Sequence, residues 1–198
     1  MQKSTEVGFK SLITKVEYDR LINKFSGAKT DLQTNHYFDT TRFSLKASKT
    51  SLRVRERDTL ELTFKHKKGY KTNVITVDIS QDEFDEILET GKIKYSEIKS
   101  QLSYLISDQK LSRYLSLKTE RLYLPYKNGI LFIDKSDYKF YIDNEVHSGN
   151  CDYEIEYIVQ SYYQGKKEFI DIINELEIEY KKSDKKIKRA YSILKRLR

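Results

Sequence analysis

The chain has 198 residues, enough for one domain with a sizeable core. Charged residues make up 34% and hydrophobic residues 38%, and 16 Tyr with nine Phe argue against disorder. The single cysteine, Cys151, excludes an internal disulfide framework and a cysteine-based zinc site. The first ten residues lack the apolar core of a signal peptide, and no apolar run is long enough to span a bilayer. We therefore expect one cytoplasmic domain over residues 1–198, with no membrane contact.

The first half of the chain alternates between predicted helices and strands. In chain order we expect a helix over residues 16–25, a strand over 34–40 and a loop or short helix over 43–49. Three strands follow over residues 52–57, 60–67 and 73–79, and then two helices over 81–90 and 94–112. The second and third strands meet at a tight hairpin at Asp58-Thr59. Thr14 is the expected N-cap of the first helix. Ser80 caps the second helix in a capping box with Glu83, and Gly91 ends it.

In the second half of the chain we expect four strands, over residues 116–126, 129–136, 138–144 and 152–159. Two helices follow, over residues 166–180 and 183–197. Ser183 or Asp184 is the expected cap of the last helix. The whole pattern indicates an α+β fold with about eight antiparallel strands in two blocks and the helices outside them. Eight strands are enough to close into a barrel.

Charged side chains fall on every second position of several of these strands. They are Glu6, Lys10, Arg53, Arg55, Glu61, Lys65, Lys67, Glu154 and Glu156. Residues two apart in a strand point to the same face, so these charges share one face and apolar residues such as Leu52, Val54 and Phe64 share the other. A charged face is ordinary where it meets water. Where the sheet curls and turns that face inward, charges of both signs converge on a polar cavity.

The ordered motifs of the chain resemble those of the CYTH superfamily, the triphosphate tunnel metalloenzymes, and are most similar to its bacterial adenylate-cyclase or thiamine-triphosphatase-like branch. In chain order the motifs are TEVGFK, NHYFDT, LRVRER, LTFK, TERLY, LFIDKSDY, DYEIEY and KKIKR. Each is short, and their order over nearly the whole chain carries the resemblance. It implies an eight-stranded antiparallel β-barrel tunnel with flanking helices.

The resemblance also implies a lumen that holds a triphosphate and a divalent metal, Mg²⁺ or Mn²⁺. The implied phosphate-binding residues are Lys10, Arg53, Arg55, Lys65, Lys67, Arg121, Lys186 and Arg189, and the first four of them are also implied in catalysis. The implied metal ligands are Glu6, Asp134, Glu154 and Glu156. These residue types suit the chemistry, because arginine binds phosphate oxygens through two parallel hydrogen bonds and Mg²⁺ prefers carboxylate oxygens, water and substrate phosphate.

Gly8 departs from the family pattern, which has a second glutamate at this point of its Glu-x-Glu-x-Lys motif. A glycine contributes no ligand and weakens a strand. The expected function is metal-dependent hydrolysis of inorganic triphosphate or a related triphosphate, by in-line attack of water on a polarised phosphoryl group. Two alternatives stay open. One is a non-catalytic tunnel protein that binds polyphosphate or a nucleotide, and the other is an adenylate cyclase, for which no residue identifies a base or ribose pocket.

The net charge of +7 suits an anionic partner, although a charge of this size also serves general solubility. Nucleic acid fits less well, because the basic residues alternate with acidic ones on strand faces, as in a lumen rather than an open groove. We expect a small-molecule triphosphate as the partner and no nucleic acid. The oligomeric state is not given by the sequence. His36, His66 and His147 have no metal-ligand spacing, and His36 is expected to pack within its strand.

Overall fold

The computed structural model describes residues 7–68, 71–143, 145–149 and 151–197. This part of the chain forms nine strands and six helices. The strands are β1 (Val7–Ile13), β2 (Lys29–Asp39), β3 (Thr50–Glu56), β4 (Leu60–Lys68), β5 (Lys71–Ile79), β6 (Ser112–Tyr126), β7 (Gly129–Ile142), β8 (Glu145–Ser148) and β9 (Asp152–Val159). The helices are α1 (Lys15–Lys24), α2 (Ser44–Ala47), α3 (Gln81–Thr90), α4 (Ser96–Ile106), α5 (Tyr162–Glu175) and α6 (Lys186–Leu197).

The strands form one antiparallel sheet in the order β1-β9-β7-β6-β2-β3-β4-β5, and the short β8 pairs with β7. No further ladder closes this order among the described residues. The predicted α+β fold is confirmed, with differences in detail. The helix predicted over residues 94–112 ends at Ile106, and β6 begins at Ser112. Residues 129–142 form one continuous strand where two were expected, and β8 was not predicted.

The predicted helix caps at Thr14 and Ser80 are confirmed. Each side chain accepts a hydrogen bond from the backbone three residues on, and the glutamate there completes a capping box. Gly91 ends α3 with φ +70°, and an added Cβ would lie 2.3 Å from the carbonyl oxygen of Leu111, so both conformation and space require glycine. The helix predicted over residues 183–197 begins three residues later, at Lys186, so neither Ser183 nor Asp184 is the residue directly before it. No helix in the described part of the chain is long and apolar enough to cross a membrane.

The chain divides into two compact units. The first unit comprises the described residues of Met1–Leu32, Thr119–Asp137 and Gly149–Arg198, and the second comprises those of Gln33–Lys118 and Tyr138–Ser148. Each unit has its own apolar core. The core of the first includes Leu131, Ile133, Ile155, Tyr157 and Ile172, and that of the second includes Leu45, Leu52, Val54, Leu62, Phe64 and Ile98, all of them fully buried. The alternation of strand residues therefore leaves the charged positions of β1, β3, β4 and β9 on the face opposite each core.

Candidate functional site

Three carboxylates meet on one face of β7 and β9 in the first unit. Glu154 and Glu156 lie two apart on β9, and Asp134 on β7 is the register partner of Glu154. One oxygen from each of the three lies within 4.8 Å of the others. The side chains of Asp134 and Glu154 are each 1% exposed and that of Glu156 is 17% exposed. We call Asp134, Glu154 and Glu156 the carboxylate trio, which is a buried concentration of negative charge.

Asp134 is held by two cations. The Arg121 guanidinium donates two parallel hydrogen bonds to its carboxylate, Nε to Oδ1 and Nη2 to Oδ2, both 2.7 Å long, and Lys186 Nζ also contacts Oδ2. Arg121 itself stacks on Phe132, with its central carbon 4.4 Å from the ring centroid. Burial raises the pKa of Asp134, but the hydrogen bonds from Arg121 and the charge of Lys186 outweigh burial and hold that pKa below its ordinary value. The Asp134 carboxyl is therefore ionised at neutral pH despite being buried.

Strand β1 brings Lys10 and Gly8 to the trio. Lys10 is the register partner of Glu156, and its Nζ lies 3.0 Å from Glu156 Oε1 and 3.6 Å from Glu154 Oε1. Gly8 is the register partner of Ile158 and shares the face of Lys10. A Cβ added at Gly8 would lie 3.0 Å from Glu156 Oε1. The family's missing glutamate would therefore stand directly beside a member of the trio.

Glu154 has two oxygens in different surroundings. Its Oε2 accepts a hydrogen bond from Arg189 Nη1 at 2.7 Å and another from the Ser183 hydroxyl. The same guanidinium donates to both oxygens of Asp152, from Nε at 2.8 Å and from Nη2 at 3.1 Å. The other oxygen of Glu154, Oε1, is buried and accepts no hydrogen bond from the described residues. Its one cationic neighbour among the described residues is Lys10 Nζ, 3.6 Å away, and a buried carboxylate oxygen without a hydrogen bond retains the capacity to bind a ligand.

The charges of this site balance. Four carboxylates and four cations lie in one network of ion pairs among the described residues: Asp134, Asp152, Glu154 and Glu156 with Lys10, Arg121, Lys186 and Arg189. The sequence predicted four of these side chains as phosphate-binding residues, and the structure places each of them against a carboxylate. It therefore brings the predicted basic and acidic residues of the first unit together.

The trio fits a hard divalent cation. Its donors are all carboxylate oxygens, which Mg²⁺ and Mn²⁺ prefer, and the open Oε1 of Glu154 supplies a coordination position that no hydrogen bond occupies. Glu6, the fourth predicted ligand, lies outside the described residues.

A second charged face lies on β3 and β4 in the second unit. Arg53, Arg55 and Lys65 lie on it, because Arg53 pairs with Thr63 and Lys65 with Ser51 in the ladder. The Nε atoms of Arg53 and Arg55 are buried and have no hydrogen-bond partner among the described residues. Burial and then the neighbouring charge of Arg53 lower the pKa of Arg55 below its ordinary value, against the opposing effect of Glu61 3.8 Å away. This face has an excess of positive charge. Lys67, the fourth predicted residue here, is exposed two positions beyond Lys65.

Sequence reasoning missed two polar residues of the first unit and one network of the second. Asp152 was not singled out, and Ser183 was expected to cap α6 but contacts Glu154 instead. His36 was expected to pack within its strand, but its ring lies 5.0 Å from that of Phe84 on α3, tilted by 44°, and its two ring nitrogens bond Ser116 at 2.8 Å and Glu56 at 3.1 Å. Asp152 could have been found because it lies two residues before Glu154 on β9 and therefore shares the face of that glutamate.

With this geometry established, the family follows from comparison with known proteins. The model of the CYTH domain matches residues 4–191, and the chain belongs to this family. Over 197 residues the chain is 28% identical to the putative triphosphatase YjbK of Bacillus subtilis (strain 168), a match that covers 96% of both proteins.

Two solved structures share the fold over nearly their whole length. The crystal structure of a putative adenylate cyclase from Bacillus halodurans is 29% identical and superposes with a TM-score of 0.74, covering 96% of this chain and 98% of that one. A putative adenylyl cyclase from Hippeastrum, described as having a dominant triphosphatase activity, is 17% identical and superposes with a TM-score of 0.72. The match covers 95% of this chain and 96% of that one. At that identity the second likeness is one of fold alone.

Proposed function

We propose that the protein is a divalent-metal-dependent triphosphatase that hydrolyses inorganic triphosphate or a related triphosphate. The observation that carries this proposal is the buried carboxylate trio, whose members are paired with cations, and in which Glu154 Oε1 has only the Lys10 ammonium, at 3.6 Å, and no hydrogen bond among the described residues. Carboxylates concentrated beside arginine and lysine suit a metal-bound polyphosphate, which carries both signs of charge. Membership of the CYTH family and the similarity to YjbK support the same substrate class.

Each candidate site residue of the first unit has a proposed role. Asp134, Glu154 and Glu156 hold Mg²⁺ or Mn²⁺, and Glu6 is proposed as a further ligand. The metal, when bound, supplies Lewis-acid polarisation of phosphoryl oxygens. Lys10, Arg121, Lys186 and Arg189 carry the positive charge that binds phosphate and neutralises the charge that develops on it. Their present carboxylate partners hold these partly buried side chains at the site.

In the second unit we propose that Arg53, Arg55, Lys65 and Lys67 bind phosphate oxygens, and that the first three also act in catalysis by stabilising developing negative charge. The support is the pair of buried Nε donors without partners, which an anion would satisfy. We further propose that the chain acts as one CYTH domain, since the family model spans both units.

A binding protein without turnover is the second candidate, and Gly8 favours it. The position faces Glu156 and supplies no carboxylate, so the metal site has one ligand fewer than the family pattern. An adenylate cyclase, as the Bacillus halodurans protein is described, would need a base and ribose pocket in addition to the phosphate site.

The deciding experiment measures phosphate release from inorganic triphosphate with Mn²⁺ or Mg²⁺. Glu156→Gln keeps the shape of the side chain but loses its charge, and we expect turnover to fall at least about tenfold, the lower end of the cost of disturbing a metal site. Glu120→Gln is the matched control, because Glu120 pairs with Lys135 at 3.0 Å and is not part of the trio. With ATP, a cyclic product would favour the cyclase. Protection against unfolding by triphosphate without phosphate release would favour the binding protein.

A further inference from the structure

Glu154 is held at one of its two carboxylate oxygens. Its side chain is 1% exposed, and Oε2 is the acceptor for both a neutral hydroxyl and a guanidinium. A glutamate side chain has three rotatable bonds, so fixing one oxygen sets the direction of the other. With Oε2 engaged, Oε1 is the oxygen that has no hydrogen bond among the described residues, and it lies 3.6 Å from Lys10 Nζ, which also pairs with Glu156.

The guanidinium that holds Oε2 is itself anchored. Asp152 accepts hydrogen bonds from Nε and Nη2 of Arg189, which leaves Nη1 to reach Glu154, the oxygen of Ser183 at 2.6 Å and the backbone carbonyl of Asp184. The positive charge of Arg189 is thus shared between two carboxylates. The remaining donor to Glu154, Ser183, is uncharged, and a neutral donor orients a carboxylate without cancelling the charge that a metal needs.

We propose that Ser183 is a positioning residue for Glu154. Its hydroxyl proton and the Arg189–Asp152 pair fix Oε2, and this directs Oε1 into the trio as a preformed metal-binding oxygen. The inference rests on the proposed function, because it concerns a residue assigned there to the metal. It adds that the segment before α6, and not only the strands, determines the affinity of the site.

The test is direct titration of Mn²⁺, followed by electron paramagnetic resonance and by calorimetry, without substrate. For Ser183→Ala we expect Mn²⁺ binding about tenfold weaker than in the parent, as for loss of a hydrogen bond to a metal ligand. Ser183→Thr keeps the hydroxyl and should restore most of the affinity. Ser192→Ala is the matched control, because the Ser192 hydroxyl bonds only the backbone of its own helix, at Lys188, among the described residues. In a Glu154→Gln background, removal of the Ser183 hydroxyl should have little further effect.

Three outcomes are separable. If the parent binds Mn²⁺ and Ser183→Ala binds it equally well, Ser183 has no positioning role, while the proposed metal site stands. If Ser183→Ala weakens binding but Ser183→Thr does not restore it, the hydroxyl is not the cause and the inference is overturned. If the parent binds no Mn²⁺ at all, the metal part of the proposed function fails and this inference falls with it.

Discussion

Gly8→Glu tests whether the first unit holds a metal site that lacks one ligand. The Cβ of the new residue would lie 3.0 Å from Glu156 Oε1, a contact that Glu156 relieves by a small movement of its flexible end. The network of four carboxylates and four cations would gain a fifth carboxylate, and its charge balance would become negative by one. We expect tighter Mn²⁺ binding and faster hydrolysis of triphosphate.

The magnitude follows from the geometry. Two carboxylates about 5 Å apart repel by roughly 1–3 kcal/mol at effective dielectric constants between about 80 and 20. Without metal, this repulsion offsets the roughly 0.5–1 kcal/mol gained by removing a glycine from a strand, so the thermal stability of the variant should equal that of the parent or fall below it. A bound divalent cation removes the repulsion, which corresponds to an increase in affinity of roughly five- to 150-fold.

The assay combines calorimetric titration of Mn²⁺ with thermal unfolding in the presence and absence of the metal. Gly8→Gln matches the size of the new side chain without its charge, and should bind Mn²⁺ no better than about the parent level. Gly27→Glu makes the same substitution where an added Cβ meets nothing within 4 Å, and should leave Mn²⁺ binding unchanged. Equal Mn²⁺ affinity in Gly8→Glu and the parent, with the variant folded, would refute the placement of the metal beside position 8.

Two further predictions concern the second unit. Arg53→Ala and Arg55→Ala should each weaken binding of triphosphate, measured by calorimetry without metal, by about 1.5–3 kcal/mol, the range for hydrogen bonds to charged groups. If both variants bind triphosphate as tightly as the parent, the two arginines are not part of the phosphate-binding site. Burial lowers the pKa of His36 despite its bond to Glu56. As the pH falls, the unfolded chain therefore binds a proton at this histidine before the folded chain does. The free energy of unfolding should fall as the pH drops below about 6.5, by at most about 1.4 kcal/mol per pH unit from this group. Denaturant titrations at several pH values should show this slope in His147→Gln but not in His36→Gln.

The features that sequence predicts well here depend on neighbours a few residues away. Thr14 and Ser80 were identifiable as caps because the bonded amide and the reciprocal glutamate lie within one helical turn. The charged strand faces were identifiable because a period of two is local. The prediction of two strands, over residues 129–136 and 138–144, was wrong in placing a break at Asp137. In the folded chain Ser136 is buried and lies 3.4 Å from the Thr119 hydroxyl, so the strand continues through it.

The features that sequence missed depend on partners far along the chain. Serine is a common N-cap residue, but the Ser183 hydroxyl donates its hydrogen bond to Glu154, 29 residues away. The pairing of Lys186 with Asp134 spans 52 residues, and no local pattern distinguishes a lysine that binds a carboxylate from one that binds phosphate. Long-range pairing is set by the tertiary fold, which local periodicity does not report.

The two charged faces differ in what an incoming anion must displace. In the first unit every cation of the network already has a carboxylate partner, so a phosphate group gains a new ion pair only as an old one is given up. On β3 and β4 the buried Nε donors of Arg53 and Arg55 have no partner to give up among the described residues, and burial leaves their charge incompletely solvated. An anion there satisfies donors that are otherwise unpaired, at no cost in broken ion pairs for Arg53. Metal-free affinity for triphosphate should therefore depend more on these arginines than on Lys186 or Arg121, which is why the arginine variants are expected to show their loss even before metal is added.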